Sequence, residues 1–266
     1  MDSISIFTTM TNPDERNDPW RESMNCYESF ADEVVVVGED WPKEFDWGVF
    51  NKIYQNGFDK CNTDWVMRMD LDYFVNENDF ERLRSYIKKY KDSPAIVMPQ
   101  YQFFTYDRYQ VKTKLCLLLN KKKFPGIKLN GGTDRMLATL NGDLLTYKNV
   151  PQISVPIWQY DSMFRTKDII SVDRARFARA WERTFGNYGD RGGDDPELAF
   201  NAWFDMVKKR YRKHLFKTSL EKHPTFIREK LKKLNHEQFG YSAFGLKDII
   251  KFNYLELPRE IKKKYF

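Results

Sequence analysis

Asp64-Trp65-Val66-Met67-Arg68-Met69-Asp70-Leu71-Asp72 decides the reading of this chain. Trp65–Met69 is a short apolar run of strand type, and it breaks off in two carboxylates. On extended chain, carboxylates one residue apart point to opposite faces. If the chain turns there, both can approach one hard cation, and Mg2+ and Mn2+ favour carboxylate oxygens shared with substrate phosphates. An isolated Asp-x-Asp usually marks no more than a solvated strand end. Its setting therefore matters.

Upstream, Phe45, Val49, Ile53 and Tyr54 recur at helical spacing and predict an amphipathic helix over Phe45–Lys60. Before it, Glu33–Val37 reads as a buried strand that stops at Gly38-Glu39-Asp40. Trp20–Phe30 suits a helix, the polar stretch Asn12–Asp18 a loop, and the alternating Ser3–Thr9 a first strand. Downstream, Asn78 with Glu81 predicts a capping pair for a helix whose face is Phe80, Leu83, Ile87 and Tyr90. Ala95–Met98 is a fourth strand.

Strands alternating with helices imply an α/β fold, a mostly parallel sheet flanked by helices. Ligands of such sheets bind beyond the carboxyl ends of the strands. Three of those ends are polar here: Thr8-Thr9, Glu39-Asp40 and Asp70-Leu71-Asp72.

Residues 101–156 predict strands and hairpins, with glycine turns at Asn130-Gly131-Gly132 and Asn141-Gly142-Asp143. Asp168–Phe185 is an arginine-rich helix carrying Arg174, Arg176, Arg179 and Arg183. Asp195-Pro196 starts another, with Leu198, Ala202, Trp203 and Met206 assigned to its buried face, and Pro224–Leu234 is a basic helix. Trp158, Tyr160, Tyr101, Phe104 and Tyr106 are candidates for stacking on a ligand, against the commoner fate of aromatics as core.

The 266 residues carry 44 basic and 38 acidic side chains, a net +6, which permits a phosphate-bearing partner without demonstrating nucleic-acid binding. Cys26, Cys61 and Cys116 are too few and too scattered for a disulfide framework or a cysteine zinc site. The start Met1-Asp2-Ser3 has no signal-peptide character, and the longest apolar runs, Val34–Val37 and Leu115–Leu119, are far too short for a membrane helix. The expectation is a cytoplasmic protein, soluble or in peripheral contact with a membrane through its basic C-terminal segment. No GxSxG, GxxxxGK[ST] or HExxH occurs.

Together these segments resemble a GT-A fold glycosyltransferase, most closely glycosyltransferase family 2. The matching residues are Ser3–Thr9, Val34–Asp40, Asn51–Gly57 and Asp64–Asp72, then more loosely Tyr160–Lys167 and Gly192-Gly193-Asp194-Asp195-Pro196-Glu197-Leu198. The resemblance covers residues 1–205. It implies a GT-A-like (Rossmann-like) catalytic domain over 1–205, with a nucleotide-sugar-binding half (1–100) and an acceptor-side half (101–205). Residues 206–266 are then a basic helical C-terminal extension packed on the same domain.

It further implies metal-dependent transfer of a sugar from a nucleotide-diphosphate sugar to an acceptor hydroxyl on a glycan or glycoconjugate, with inversion and with Mn2+ or Mg2+ as cofactor. Thr8, Thr9, Glu39 and Asp40 would line the nucleoside pocket, with Arg68 toward the base. Asp70 would sit by ribose and metal, and Asp72 would hold the metal directly. A late metal-binding histidine falls on His223. The general base falls on Asp194 or Asp195, the latter preferred, although the family rarely follows its acidic pair with proline. Asp195 before Pro196 is equally a helix N-cap, and Asp161 reads as a turn residue at a strand end.

Two other functions compete. A sugar-phosphate nucleotidyltransferase would share sheet and carboxylates, yet Thr9–Asp18 lacks the glycines of its usual loop. A basic carbohydrate- or nucleic-acid-binding domain would have to tolerate an acidic strand end that repels phosphate; no nucleic-acid partner is expected.

Overall fold

The computed structural model describes residues 2–39, 44, 46–132 and 137–252, and for 113–116 the backbone only. Its elements in order are β1 (Ile4–Thr9), α1 (Trp20–Glu28), β2 (Glu33–Val37), α2 (Trp47–Lys60), β3 (Trp65–Arg68), β4 (Tyr73–Phe74), α3 (Phe80–Lys89), β5 (Ala95–Thr105), β6 (Arg108–Asn120), β7 (Ile127–Gly131), β8 (Leu137–Leu140), β9 (Asp143–Leu144), β10 (Ile157–Gln159), α4 (Lys167–Phe185), α5 (Pro196–Tyr211), β11 (Phe216–Lys217), α6 (Thr225–Lys232), α7 (Phe239–Ser242) and α8 (Leu246–Ile249). The main sheet runs β2-β1-β3-β6-β5-β10-β4, with β11 added to β6. β2, β1 and β3 pair in parallel, as do β5 and β10, whereas β6 and β4 run against their neighbours. The fold is an α/β mixed, mostly parallel sheet flanked by helices.

β1 shows why the sheet is covered on both sides. Ile4 and Ile6 join the core that includes Tyr27 of α1, while Phe7 joins the core built on Trp47, Phe50, Tyr54 and Phe58 of α2. β1 is buried on both faces, and its polar Ser5 and Thr8 are buried along with its apolar residues. Asp46 starts α2 by accepting from Gly48 N (2.7 Å) and Val49 N (3.2 Å). The buried face of α2 is Trp47, Phe50, Tyr54, Gly57 and Phe58. It is rotated from the expected stripe, because the larger aromatics take the sheet and leave Val49 and Ile53 half-buried. Phe45 lies outside the described residues.

Gly57 lets α2 approach β1 closely, since a Cβ there would sit 2.5 Å from Cδ2 of the fully buried Phe7 ring. Gly57→Ala is expected to lower stability by about 1–3 kcal/mol through overpacking, read by denaturant unfolding. A helix-propensity gain alone would give the opposite sign.

Three further expectations change. Asn78 caps nothing; instead Asn76 Oδ1 accepts from Asn78 N (3.1 Å) and starts a 3₁₀ turn, Glu77–Asp79, that delays α3 to Phe80. β5 does not stop at Met98: it passes Pro99 at a register shift between Met98 and Gln100, the irregularity that admits proline into a strand. α5 buries Ala199, Phe200, Trp203, Val207 and Tyr211, whereas Leu198 is 55% exposed and Met206 half-buried.

The second glycine turn forms a hairpin, whereas Asn130 and Gly131 belong to β7 itself. β7-β8-β9 make a small separate sheet, and Asn141 and Gly142 supply the two positive φ angles (55° and 88°) of a tight connection between β8 and β9. After residue 205, β11 pairs with Tyr109 and Arg108 of β6, and Gly240 N donates to Met163 O (2.8 Å). No helix among the described residues is long and apolar enough to cross a membrane.

Candidate active site

The chain turns after β3, as the site requires. Tyr73 N donates to Asp70 O (2.8 Å), and α1 clamps the turn from below. Tyr27 Oη lies 2.6 Å from Asp70 O and 3.0 Å from Tyr73 O, and Ser23 Oγ donates to Leu71 O. Ser23 and Tyr27 are four apart, hence on one helix face. That buried polar pair was the available signal for a support that motif reading missed.

Above the turn, the Arg68 guanidinium lies 4.3 Å over the Tyr54 ring and 3.2 Å from Asp70 Oδ2. Tyr54 Oη reaches Asp70 Oδ1 at 3.4 Å. Asp70 and Arg68, assigned from sequence to one pocket, do meet. Burial pushes the Asp72 carboxyl up to about 8, reinforced by the charges of Asp70, Asp161 and Asp18. Arg165 opposes this and is outweighed. Carboxylates crowded at one strand end repel one another unless a cation joins them.

Asp161 is the residue the sequence undersold. It follows β10, whose neighbour Tyr160 donates its N–H to Asp72 O (3.0 Å). Its Oδ2 accepts from Gln102 Nε2 (2.7 Å), Gln102 Oε1 accepts from Gln110 Nε2 (2.6 Å), and Ser162 Oγ lies 3.2 Å from Oδ1. Burial works against its charge, but Lys112, Arg174 and Arg165 outweigh that and hold it below the usual carboxylate range. Asp161 is a fixed third carboxylate beside Asp72.

An ion network closes this side. Arg165 reaches Asp18 through Nε (3.0 Å) and Asp173 through Nη1 (2.9 Å), and Arg16 reaches the same two carboxylates at 3.2 and 3.5 Å. It joins the loop after β1 to α4.

The remaining expected residues are spread more widely. Thr8 Oγ1 is buried at the end of β1 with no partner among the described residues, and the hydroxyl of Tyr54 bonds Thr9. Glu39 is exposed at the end of β2, and Asp40 lies outside the described residues. Asp194 and Asp195 are exposed, and nothing ties either to Asp72. Asp195 caps α5, its Oδ1 accepting from Glu197 N (2.9 Å) and Leu198 N (3.0 Å), and Asp194 O accepts from Arg179 Nη1 (3.4 Å).

His223 is fully buried. Its Nδ1 lies 2.8 Å from Tyr160 Oη and its Nε2 2.7 Å from Tyr106 O, so both nitrogens are engaged within the core and neither faces outward as a metal ligand. Burial lowers it to about 4, which keeps the ring neutral. Trp158, Tyr160 and Phe104 are core aromatics, buried in the same layers.

The arginine helix divides its work. Arg179 binds Glu44 through Nε (2.9 Å) and Nη2 (2.7 Å), and Arg183 lies 3.6 Å from the same carboxylate.

No family model matches the chain, and no curated protein matches it. Solved structures do show likeness. One is a glycosyltransferase involved in the glycosylation of the major capsid of PBCV-1, at 18% identity and TM-score 0.29 over 45% of this chain and 60% of that one, so less than two thirds of its length is spanned. Another is S. aureus TarS 1-349 in complex with UDP-GlcNAc, at 11% identity and TM-score 0.37 over 97% and 92%. The same TarS fragment in complex with UDP gives 12% identity and TM-score 0.35 over 99% and 92%.

Among the described residues, no group of three His, Cys, Asp or Glu side chains is arranged to hold a metal ion. The donor chemistry of Asp70 and Asp72 nevertheless fits Mg2+ or Mn2+, ions that take one or two carboxylates and complete their shell with water and phosphate.

Proposed function

We propose that the chain is a nucleotide-sugar-dependent glycosyltransferase that moves a sugar to an acceptor hydroxyl of a glycan or glycoconjugate, with inversion and with Mn2+ or Mg2+ held by Asp70 and Asp72. The observation that carries this is the turn after β3. It places the Asp70 and Asp72 carboxylates close enough for one to raise the other, beyond the strand ends of the parallel half of the sheet. A bound divalent cation neutralises the charge that develops on a departing nucleoside diphosphate.

The chain's own residues supply the rest. Thr8, Thr9 and Glu39 stand at the ends of β1 and β2, where a nucleoside would lie. Arg68 on Tyr54 offers a flat cationic platform beside Asp70 and orients its carboxylate. Asp195 is the base of this reading. Both of its cap bonds fall on Oδ1, and Oδ2 takes the proton of the acceptor hydroxyl as that oxygen attacks.

The first test is thermal unfolding with a panel of nucleoside diphosphates and nucleotide sugars, with and without Mn2+. A ligand that binds only the folded chain raises Tm. A rise that needs both metal and one nucleotide supports the reading; no rise at millimolar ligand sinks it.

Asp195→Asn separates the base from the cap, because asparagine caps a helix as well as aspartate does. The expected result is stability unchanged within about 0.5 kcal/mol and transfer slowed at least about 100-fold, the worth of a general base. Full activity in this variant would move the base elsewhere.

A further inference from the structure

The cations around α4 are paired unequally among the described residues. Arg16, Arg165 and Arg176 all lie within 3.7 Å of Asp18 or Asp173. Two cations remain, Lys112 and Arg174, and among the described residues neither closes an ion pair. Both act on Asp161, whose oxygens already accept from Gln102 and Ser162.

Their positions follow from the strands. Lys112 and Gln110 are two apart on β6 and share a face, and Gln110 leads through Gln102 to Asp161. Arg174 lies on α4 with its guanidinium 5.2 Å over the Trp203 ring, and its buried Nε has no partner among the described residues. A half-buried guanidinium backed by an indole and lacking a bonded oxyanion is costly unless an anion arrives.

Building on the transferase reading, we propose that Lys112 and Arg174 form an oxyanion subsite for the acceptor. The acceptor would carry a phosphate or carboxylate near its reacting hydroxyl, with the anion on these two cations and Asp161 holding a neighbouring hydroxyl. Arg174 supplies a planar fork and Lys112 a point charge. The carboxylates that act on the pair are Asp161 and, on Arg174, Asp173; Arg165 and Arg16 add positive charge.

The test uses the full chain saturated with a nucleoside diphosphate and Mn2+, so that the donor site is filled. Glycerol 3-phosphate and glucuronate are titrated by calorimetry beside their neutral partners, glycerol and glucose. The expected result is binding of at least one anionic probe, with Arg174→Gln and Lys112→Gln each weakening it about 10-fold or more. Glycerol 3-phosphate alone identifies a phosphate-bearing acceptor, and glucuronate alone an acidic sugar. Neutral and anionic probes binding alike, or affinities unmoved in both variants, overturns the subsite. Arg174→Lys, which keeps the charge and loses the fork, is the second variant should Arg174→Gln fail to fold. The nucleoside diphosphate and Mn2+ shift is read separately in every variant. Its absence from the natural chain defeats the transferase reading, while the probes still decide the anion site on their own.

Discussion

Asp72→Asn is expected to abolish metal-dependent transfer, by at least about 10³-fold, while making the metal-free chain more stable at alkaline pH. The two effects have one cause. Burial and the charges of Asp70, Asp161 and Asp18 raise the Asp72 carboxyl to about 8. The folded chain therefore keeps this proton to higher pH than the unfolded chain does, and its stability falls as pH climbs from the ordinary carboxylate range through about 8. Asparagine is neutral throughout and removes that slope. At pH 9 the metal-free variant should melt above the parent by roughly 2–4 °C for each kcal/mol recovered, and the gap should close toward pH 5. In the parent, Mn2+ must displace the Asp72 proton, so its affinity should rise as pH increases toward 8, with proton release detectable by calorimetry in buffers of different ionisation heat. Retained metal-dependent turnover in the variant, or a Tm gap with no pH dependence, would remove Asp72 from the metal site.

Much of this arrangement can be read from residues close together in the chain. Trp65 to Asp72 gives the strand, its end and both carboxylates without any distant contact. Glu33–Val37 and the Asn141-Gly142 turn are equally local, since β-branched runs and positive-φ pairs state their conformation directly. What sequence reading missed depends on partners far along the chain. Asp161 looks like a turn residue until β10 lies beside β4 and brings Tyr160 N to Asp72 O. Tyr27 looks like core until its hydroxyl is seen on the carbonyls of Asp70 and Tyr73. His223 carries the side chain of a ligand, but two distant oxygens consume both nitrogens. The α5 stripe was misplaced for a related reason. Periodicity fixes the spacing of a buried face, whereas its rotation is chosen by what α4 and β5 offer, here favouring Phe200 and Tyr211 over Leu198.

Arg165→Met carries the largest expected loss of stability, about 3–5 kcal/mol, or a fall in Tm of roughly 6–20 °C. Methionine keeps the apolar stem of the side chain and removes the guanidinium, leaving Asp18 and Asp173 with side chains only 10% and 11% exposed. A carboxylate stranded in such a place costs far more than the pair contributed while intact. Arg16 still contacts both, at 3.2 and 3.5 Å, but it is 30% exposed and screened, which keeps the loss near the lower end. The loop after β1 should also loosen, since Asp18 is one of three ties that hold it to this side among the described residues, with Arg16 on Asp173 and Asn17 Nδ2 on Phe164 O. Adding Asp173→Asn to Arg165→Met should recover part of the loss, and a double-mutant cycle measures the coupling. The same substitution removes a cation that favours ionised Asp72, so the Mn2+ affinity of Arg165→Met should need higher pH to reach the parent's value. A variant that melts within about 2 °C of the parent would show that solvent already screens this network.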